Sequence, residues 1–266
     1  CELILDHRRT KKLIEFLDVG SLDTDGRLRS SYGFAPETGR LSSSKNPKWT
    51  GRNAQNIHRE VRGIFVPDDD CIFVELDESQ AEDRIVKVLA YAVAPRQELL
   101  DRARAMPWEN DEHRRAASAI FRVTQEKVTK DQRYIGKRGR HAANFGLGAK
   151  GLSEELSKDG YTYTIEECAD FIAAVIDRDT PEVREYQKAT RIEVLKRKRL
   201  VNDWGRVLSF EWDRMDDDTF RRAYAFIPQS SVPSIVNQYG MIPLHHKIRK
   251  EGWRAAINAN GHDSLL

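Results

Sequence analysis

Hydrophobic residues in this chain recur at two spacings, and the switches between them mark its elements. Leu3, Leu5, Leu13, Ile14 and Leu17 predict an amphipathic helix over 1–17. The chain opens on Cys1, already inside that pattern and without a starting Met, so it is expected to begin part-way through a longer parent. A turn-rich break at 18–25 and a short strand at 27–32 are expected next. Ile72, Phe73, Val74 and Leu76 form a dense apolar run that predicts a buried strand ending at Asp77. From 79 to 91 the spacing becomes helical, with Ile85, Val88, Leu89 and Ala92 on one face. Asp77 therefore sits where a strand hands over to a helix.

Beyond this point the pattern is mainly helical. Pro95 closes the first helix, 97–106 forms a short second one, and Asp111-Glu112-His113 opens a third through Phe121. The stretch 132–148 reads as a helix broken by Gly146 and Gly148, and 153–158 continues helical. Thr164 to Glu167 has the pattern of a capping box, and Phe171, Ile172 and Val175 supply the apolar positions that follow. Pro181 suits the first turn of the next helix, which ends in Lys196-Arg197-Lys198-Arg199. A hairpin is expected at 201–210 around Trp204-Gly205-Arg206. Asp216 to Asp218 starts another helix, which Pro228-Gln229-Ser230-Ser231 should interrupt or re-aim and 235–239 should resume. A helix at 243–251 and a strand-like run at 255–260 lead to Gly261-His262-Asp263. No internal repeat or low-complexity segment appears.

Composition narrows the class. The 266 residues suffice for one large or two smaller domains, and 39% hydrophobic with 32% charged residues describes a polar, globular chain. No apolar run approaches a membrane span and no signal peptide is visible. Cys1, Cys71 and Cys168 lie far apart and form no C-x-x-C pair, which argues for a reducing, cytoplasmic compartment and against a disulfide framework or zinc site. The net charge of +2 hides its distribution. Eight basic residues face two acidic ones over 27–62, and again over 122–150. Two such blocks suit a polyanionic partner, although a single block is more often a solvated face.

Three constellations carry possible chemistry. Asp77 and Asp263 end two strand-like runs; neighbouring strands would bring their carboxylates together, as a two-metal phosphoryl-transfer site requires. The plainer reading of Asp77 is helix capping, either Asp77 with Gln80 or Ser79 with Glu82. Lys137, His141 and Phe145 stand at i, i+4 and i+8, one helix face about 12 Å long. That stripe suits a triphosphate at one end and a sugar and base at the other, with Arg138 and Arg140 strengthening the field; the competing reading makes Phe145 core and the cations solvated. Thr38 to Ser44 and Gln55-Asn56-Ile57 form a hydroxyl- and amide-rich loop that suits a nucleic-acid backbone, with Arg40 reaching a groove or phosphate.

Together these stretches resemble the family A DNA polymerases. T-G-R-L-S-S-S followed by Q-N-I is similar to that family's template–primer loop, and L-D-E-S-Q-A-E-D-R at 76–84 to its first catalytic motif, usually D-Y-S-Q-I-E-L-R. D-E-H at 111–113 resembles its D-I-H, G-K-R-G-R-H-A-A-N-F-G its finger helix, P-Q-S-S at 228–231 its glutamine segment, and H-D-S-L-L its last catalytic motif, usually H-D-E. Six such matches in the family's order cover almost the whole chain.

The resemblance implies an α+β right-hand fold, a palm with an antiparallel sheet plus helical fingers. Residues 1–94 would hold the end of the thumb and first part of the palm, 95–200 the fingers, and 201–266 the second part of the palm. The implied activity is template-directed addition of deoxynucleotides to a primer 3′ end, by a monomer acting on primer–template DNA and deoxynucleoside triphosphates. Asp77 and Asp263 would carry two Mg²⁺ ions, assisted by the backbone carbonyl of Glu78. Gln80, Glu82, His113, Lys137, His141 and Phe145 would meet the nucleotide: Lys137 and His141 at the triphosphate, Phe145 stacked by sugar and base, Glu82 crowding the 2′ position. Arg40, Ser43, Gln55, Asn56, Gln229 and His262 would meet DNA.

The chain departs from the family pattern at several places. Glu78 replaces the usual tyrosine, His141 stands where many relatives have lysine, Ala149 replaces a tyrosine and Ser264 replaces glutamate. Three residues follow Asp263, whereas the last motif normally lies in a hairpin with a second strand, and most of a thumb is absent from the sequence. The alternative function is a truncated, non-catalytic DNA-binding remnant.

Overall fold

The computed structural model describes residues 3, 7, 10, 11, 13–15, 17, 22–34, 36–48, 50–261 and 263–266, Arg59 by its backbone alone. The helix expected over 1–17 lies largely outside the described residues. In chain order the elements are β1 (Ser31–Gly33), β2 (Ser42–Ser44), β3 (Leu76–Asp77), α1 (Ala81–Val93), α2 (Gln97–Arg104), α3 (Glu112–Phe121), α4 (Lys130–Phe145), α5 (Ala149–Lys158), α6 (Ile165–Ala174), α7 (Glu182–Arg197), β4 (Arg199–Val201), β5 (Val207–Ser209), α8 (Asp217–Ile235), α9 (Ile242–Glu251) and β6 (Ser264–Leu265). Short 3₁₀ turns at Ala54–Asn56, Arg59–Ile64 and Gln125–Lys127 and π-helical turns at Val175–Asp179 and Val236–Met241 join them. This is an α+β chain of helices with short antiparallel sheets. No described helix is long and apolar enough to cross a membrane.

The chain divides into two compact units, residues 1–78 with 233–266, and residues 79–232. The first holds two short ladders. Tyr32 of β1 faces Ser43 of β2, so part of the expected Ser-rich loop is a strand. Leu76 and Asp77 of β3 face Leu265 and Ser264 of β6. The strand expected at 72–76 is therefore mostly absent, and it is not buried: Ile72 is 82% exposed, and Phe73, Val74 and Leu76 are exposed too. Only Leu76 of these is paired, with Leu265; Ile72, Phe73 and Val74 lie in no described strand. The strand-like run at 255–260 is likewise irregular, apart from a bridge between Asn260 and Leu265. Instead Leu266 donates to Ala259 O (2.9 Å) and accepts from Asn258 N (2.6 Å), folding the chain back on itself around Gly261.

The second unit, which contains the whole of 95–200, is helical with one hairpin. Four apolar clusters hold it, among them Val86, Ala90, Leu99, Phe145, Val183 and Tyr186, and, beneath the hairpin, Val194, Leu200, Leu208, Phe210, Phe220 and Phe226. Local sequence sets the helix starts. Thr129 and Gln132 form a reciprocal capping box that begins α4 two residues earlier than its apolar pattern suggests. Thr164 and Glu167 do the same for α6, as expected. Gly146 ends α4 in the left-handed conformation (φ 71°) that glycine adopts without strain. At the crossing of α3 and α4, Gly136 stands against His113 O and Ala117 N, where a Cβ atom would not fit.

Two helix expectations are overturned. The buried face of α1 is Asp83, Val86, Lys87 and Ala90, rather than Ile85, Val88, Leu89 and Ala92; Val88 is 45% exposed. Counting apolar positions misplaced the face because two of its inward residues are charged and paired with each other. And α8 runs unbroken through Pro228.

Candidate active site

Asp77 ends β3 and is exposed, with Ser264 directly opposite. The next residue, Glu78, donates its N–H to the carbonyl of Asp263 at 2.9 Å. The two aspartates therefore lie on adjoining strand ends, 186 positions apart in sequence. Asp263 sits in the bend before β6, not within a ladder, so the strict alternation of strand side chains does not govern it. Asp77 does not cap α1: the N-cap is Gln80, without a side-chain cap bond, so both capping-box readings fail.

Hydrogen bonds position the turn before Asp263. The Gln55 amide donates to Leu41 O (2.7 Å) and to Asn260 O (3.0 Å). Asn260, buried, donates its N–H to the Tyr32 hydroxyl (3.2 Å) and its side-chain amide to Asn237 (3.2 Å). Ser43, also buried, accepts from Ala54 N at 2.9 Å. Of the residues expected to meet DNA, Ser43 and Gln55 thus serve the framework of the first unit. Asn56 is exposed and Arg40 half-buried. Gln229, in the second unit, is half-buried on α8. His262 lies outside the described residues.

Two exposed carboxylates on adjoining strand ends are the hard oxygen ligands that Mg²⁺ takes, since that ion uses one or two carboxylates and leaves other positions to water and phosphate. No group of three or more His, Cys, Asp or Glu side chains converges among the described residues. The pair fits the ion in chemistry and lacks a third acidic partner where Ser264 stands.

In the second unit, Lys137 and His141 are exposed on α4. Phe145 is not: it is 6% exposed within the cluster of Val86, Ala90 and Tyr186, and its ring meets the His141 ring edge-on at 4.7 Å. Gln80 holds a left-handed backbone (φ 57°), which costs a non-glycine residue about 1 kcal/mol. Its side-chain oxygen accepts from Glu112 N at 3.0 Å, tying the start of α1 to α3. Glu82 is half-buried on the first turn of α1. His113 lies on α3 with Nδ1 buried and without a hydrogen-bond partner. Burial pushes its imidazole down to about 4, against the pull of Asp83.

Behind these residues lies a buried ionic cluster that the sequence pattern did not disclose. Lys87, Arg102 and Arg140 face Asp83, Glu112 and Asp179, three cations against three anions, all buried. Arg102 meets both oxygens of Glu112 (3.0 and 2.5 Å) and Asp179 (2.9 Å). Lys87 pairs with Asp83 and with Glu112 (3.0 Å). Arg140 pairs with Asp179 and donates to Thr180 Oγ1 (2.8 Å). Burial disfavours the charge on Asp83, but Lys87 and Arg140 outweigh it and hold the carboxyl below its usual range. Arg140 therefore does not strengthen a field on the exposed stripe; its charge is spent inside. Arg138 is bound to Asp159 at 2.6 Å, and Arg133 to Asp111 at 2.6 Å. Arg27 and Arg29 in the other basic block also meet carboxylates, so both blocks are less cationic than their counts suggest.

A sequence model of DNA polymerase family A matches residues 1–266. The chain belongs to this family. It is 35% identical to the DNA polymerase I of Aquifex aeolicus over 162 residues, 60% of this chain and 26% of that protein. It is 28% identical to the DNA polymerase of Bacillus phage SP01 over 92% of this chain and 27% of that protein, and 29% identical to the DNA polymerase I of Geobacillus stearothermophilus over 100% and 30%. Among solved structures it resembles the POL domain of Pol1 from M. smegmatis in complex with DNA primer-template and dNTP, with a TM-score of 0.79 and 27% identity, covering 98% of this chain and 45% of that one. The chain thus spans roughly a quarter to a third of the length of the Aquifex, phage and Geobacillus polymerases. The right-hand palm-and-fingers expectation agrees with that structural match.

Proposed function

We propose that this chain is the palm and fingers core of a template-directed DNA polymerase, adding deoxynucleotides to a primer 3′ end. The observation that carries the reading is the hydrogen bond from Glu78 N to Asp263 O beside the Asp77–Ser264 pair, in a chain matched along its length by the family. Asp77 and Asp263, with the Glu78 carbonyl, would hold two Mg²⁺ ions. When bound, these ions neutralise charge on the attacking 3′-oxygen and on the pyrophosphate that leaves. The chain's own part is positioning. Lys137 and His141 receive the triphosphate, Gln80 and His113 line the nucleotide, and Glu82 crowds the 2′ position. Phe145, buried in the core, supports the His141 ring. Arg40, Asn56, Gln229 and His262 follow the DNA, while Ser43 and Gln55 hold the framework of the first unit. The M. smegmatis polymerase domain, bound to primer-template and dNTP, supports these ligand classes.

Primer extension tests the reading. With Mg²⁺ a labelled primer should lengthen, and the product should vanish in Asp77→Ala and in Asp263→Ala; extension surviving either change refutes the metal assignment. A second reading is DNA binding without chemistry. It predicts salt-sensitive DNA binding with an unchanged primer.

A further inference from the structure

Asp83 stands where the D-Y-S-Q-I-E-L-R pattern has leucine, and the structure buries it. Its Oδ1 accepts from the Asn144 amide at 2.8 Å, and its Oδ2 pairs with Lys87. Asn144 is buried in the last turn of α4, the helix that presents Lys137 and His141. Asp83 lies in the first turn of α1, next to Glu82.

That first turn has few means of holding itself. Its N-cap residue is left-handed and makes no side-chain cap bond, while Arg84 closes the turn on the Ser79 carbonyl at 3.1 Å. Side chains tie it outward: Gln80 to the Glu112 N–H on α3, Arg84 to Ala103 O and Ala105 O at the end of α2 (3.1 and 2.9 Å), and Asp83 to Asn144 and Arg140 on α4. Lys87 joins them, because it meets Asp83 and Glu112 together. The apolar contacts of α1 begin a turn later, at Val86 and Ala90.

We propose that Asp83 is a positioning residue for sugar selection: through Asn144 and Arg140 it fixes the first turn of α1, and with it Glu82, against α4. The proposal rests on the reading above that Glu82 crowds the 2′ position. The spacing between the group that meets the sugar and the helix that meets the phosphates is then set by the buried contacts of Asp83 with Asn144 and Arg140. A displacement well under an ångström at such a tie is felt in discrimination because a ribose differs from a deoxyribose by a single hydroxyl.

The experiment uses the full chain with primer–template ended in a dideoxynucleotide, so that binding is read without reaction. Calorimetric titration with dATP and with ATP in Mg²⁺ gives the ratio of the two dissociation constants. Glu82→Ala should abolish the preference for dATP. Asn144→Ala, which removes one hydrogen bond and leaves the ion pair, should reduce the ratio about tenfold, and Asp83→Asn at least as much. Thermal melts separate this from loss of folding. A lowered Tm with an unchanged ratio in Asn144→Ala and Asp83→Asn, while Glu82→Ala loses the preference, overturns the proposal and leaves the role of Glu82 standing. An unchanged ratio in Glu82→Ala overturns the reading of Glu82 and this proposal with it.

Discussion

The hydroxyl of Tyr186 on α7 donates to the backbone carbonyl of Tyr224 on α8 at 2.8 Å. That carbonyl is the one Pro228, four residues on, cannot serve, because proline has no N–H. The pairing offsets the bond lost at Pro228, the first of the two prolines in α8 and the one that the sequence suggests should break it. Tyr186 is buried in the cluster with Phe145, so the bond is shielded from water. Tyr186→Phe should destabilise the second unit by about 1–2 kcal/mol, the cost of leaving a buried acceptor unmade. In a Pro228→Ala background, where a local N–H is restored, the same change should cost less. Urea titrations of the four proteins check this: equal costs in both backgrounds would dissociate Tyr186 from the proline.

Arg140 is the centre of charge in the buried cluster, paired with Asp179 and within 3.7 Å of Asp83. Arg140→Met should cost about 3–5 kcal/mol, because it strands carboxylates in the interior. Adding Asp179→Asn to that variant should recover part of the loss, since one stranded charge is then gone. A cluster worth little would show a small loss for the single change, readable as a shift of the urea midpoint.

His113 gives the fold a pH response. Its folded pKa, pushed down to about 4 by burial, lies below the ordinary value of 6.5. A depressed histidine favours the unfolded state on protonation. The stability it permits is complete above about pH 6.5 and falls as pH drops towards 4. The loss over that window should be of the order of 1–3 kcal/mol. His113→Phe should flatten the fall of Tm between pH 6.5 and 4. The limb below pH 4 should persist, because Asp83 and Asp179, held low by their cations, then take up protons. An unchanged slope above pH 4 in His113→Phe would assign the response elsewhere.

How much of this was legible in the sequence depends on which residues carried the information. Local rules worked where the signal was local: the Thr164 capping box, the glycine end of α4, the Asp111 start of α3. The hand-over at Asp77 and the convergence on Asp263 were readable because strand ends and motif order survive in sequence. The inward face of α1 was not, since Asp83 and Lys87 count as polar wherever they point; only their i, i+4 spacing hinted at a pair. Phe145 was readable as aromatic at helical spacing, but whether such a ring faces core or ligand is decided by neighbours 40 to 60 residues away, Val86 and Tyr186 among them. Pro228 misled for the same reason, because its compensation comes from another helix.

Gln55 shows how a residue expected at DNA can instead hold the turn that leads to Asp263. Its amide spans Leu41 O and Asn260 O, and Asn260 lies three residues before Asp263. Gln55→Met keeps the volume and removes the donor. Both carbonyls then lose a bond, and the turn leading into Asp263 loses its tie to the β2 strand region. Folding stability should fall by about 1–2 kcal/mol. On the polymerase reading, the Mg²⁺ concentration that half-saturates primer extension should also rise, by about tenfold, as when an outer partner of a metal ligand is lost. Binding of primer–template DNA without Mg²⁺ should stay near that of the unaltered chain. The opposite pattern, weakened DNA binding with an unmoved Mg²⁺ midpoint, would return Gln55 to the nucleic-acid surface and leave the Asp263 turn to its other ties, Tyr32 and Asn237 among them.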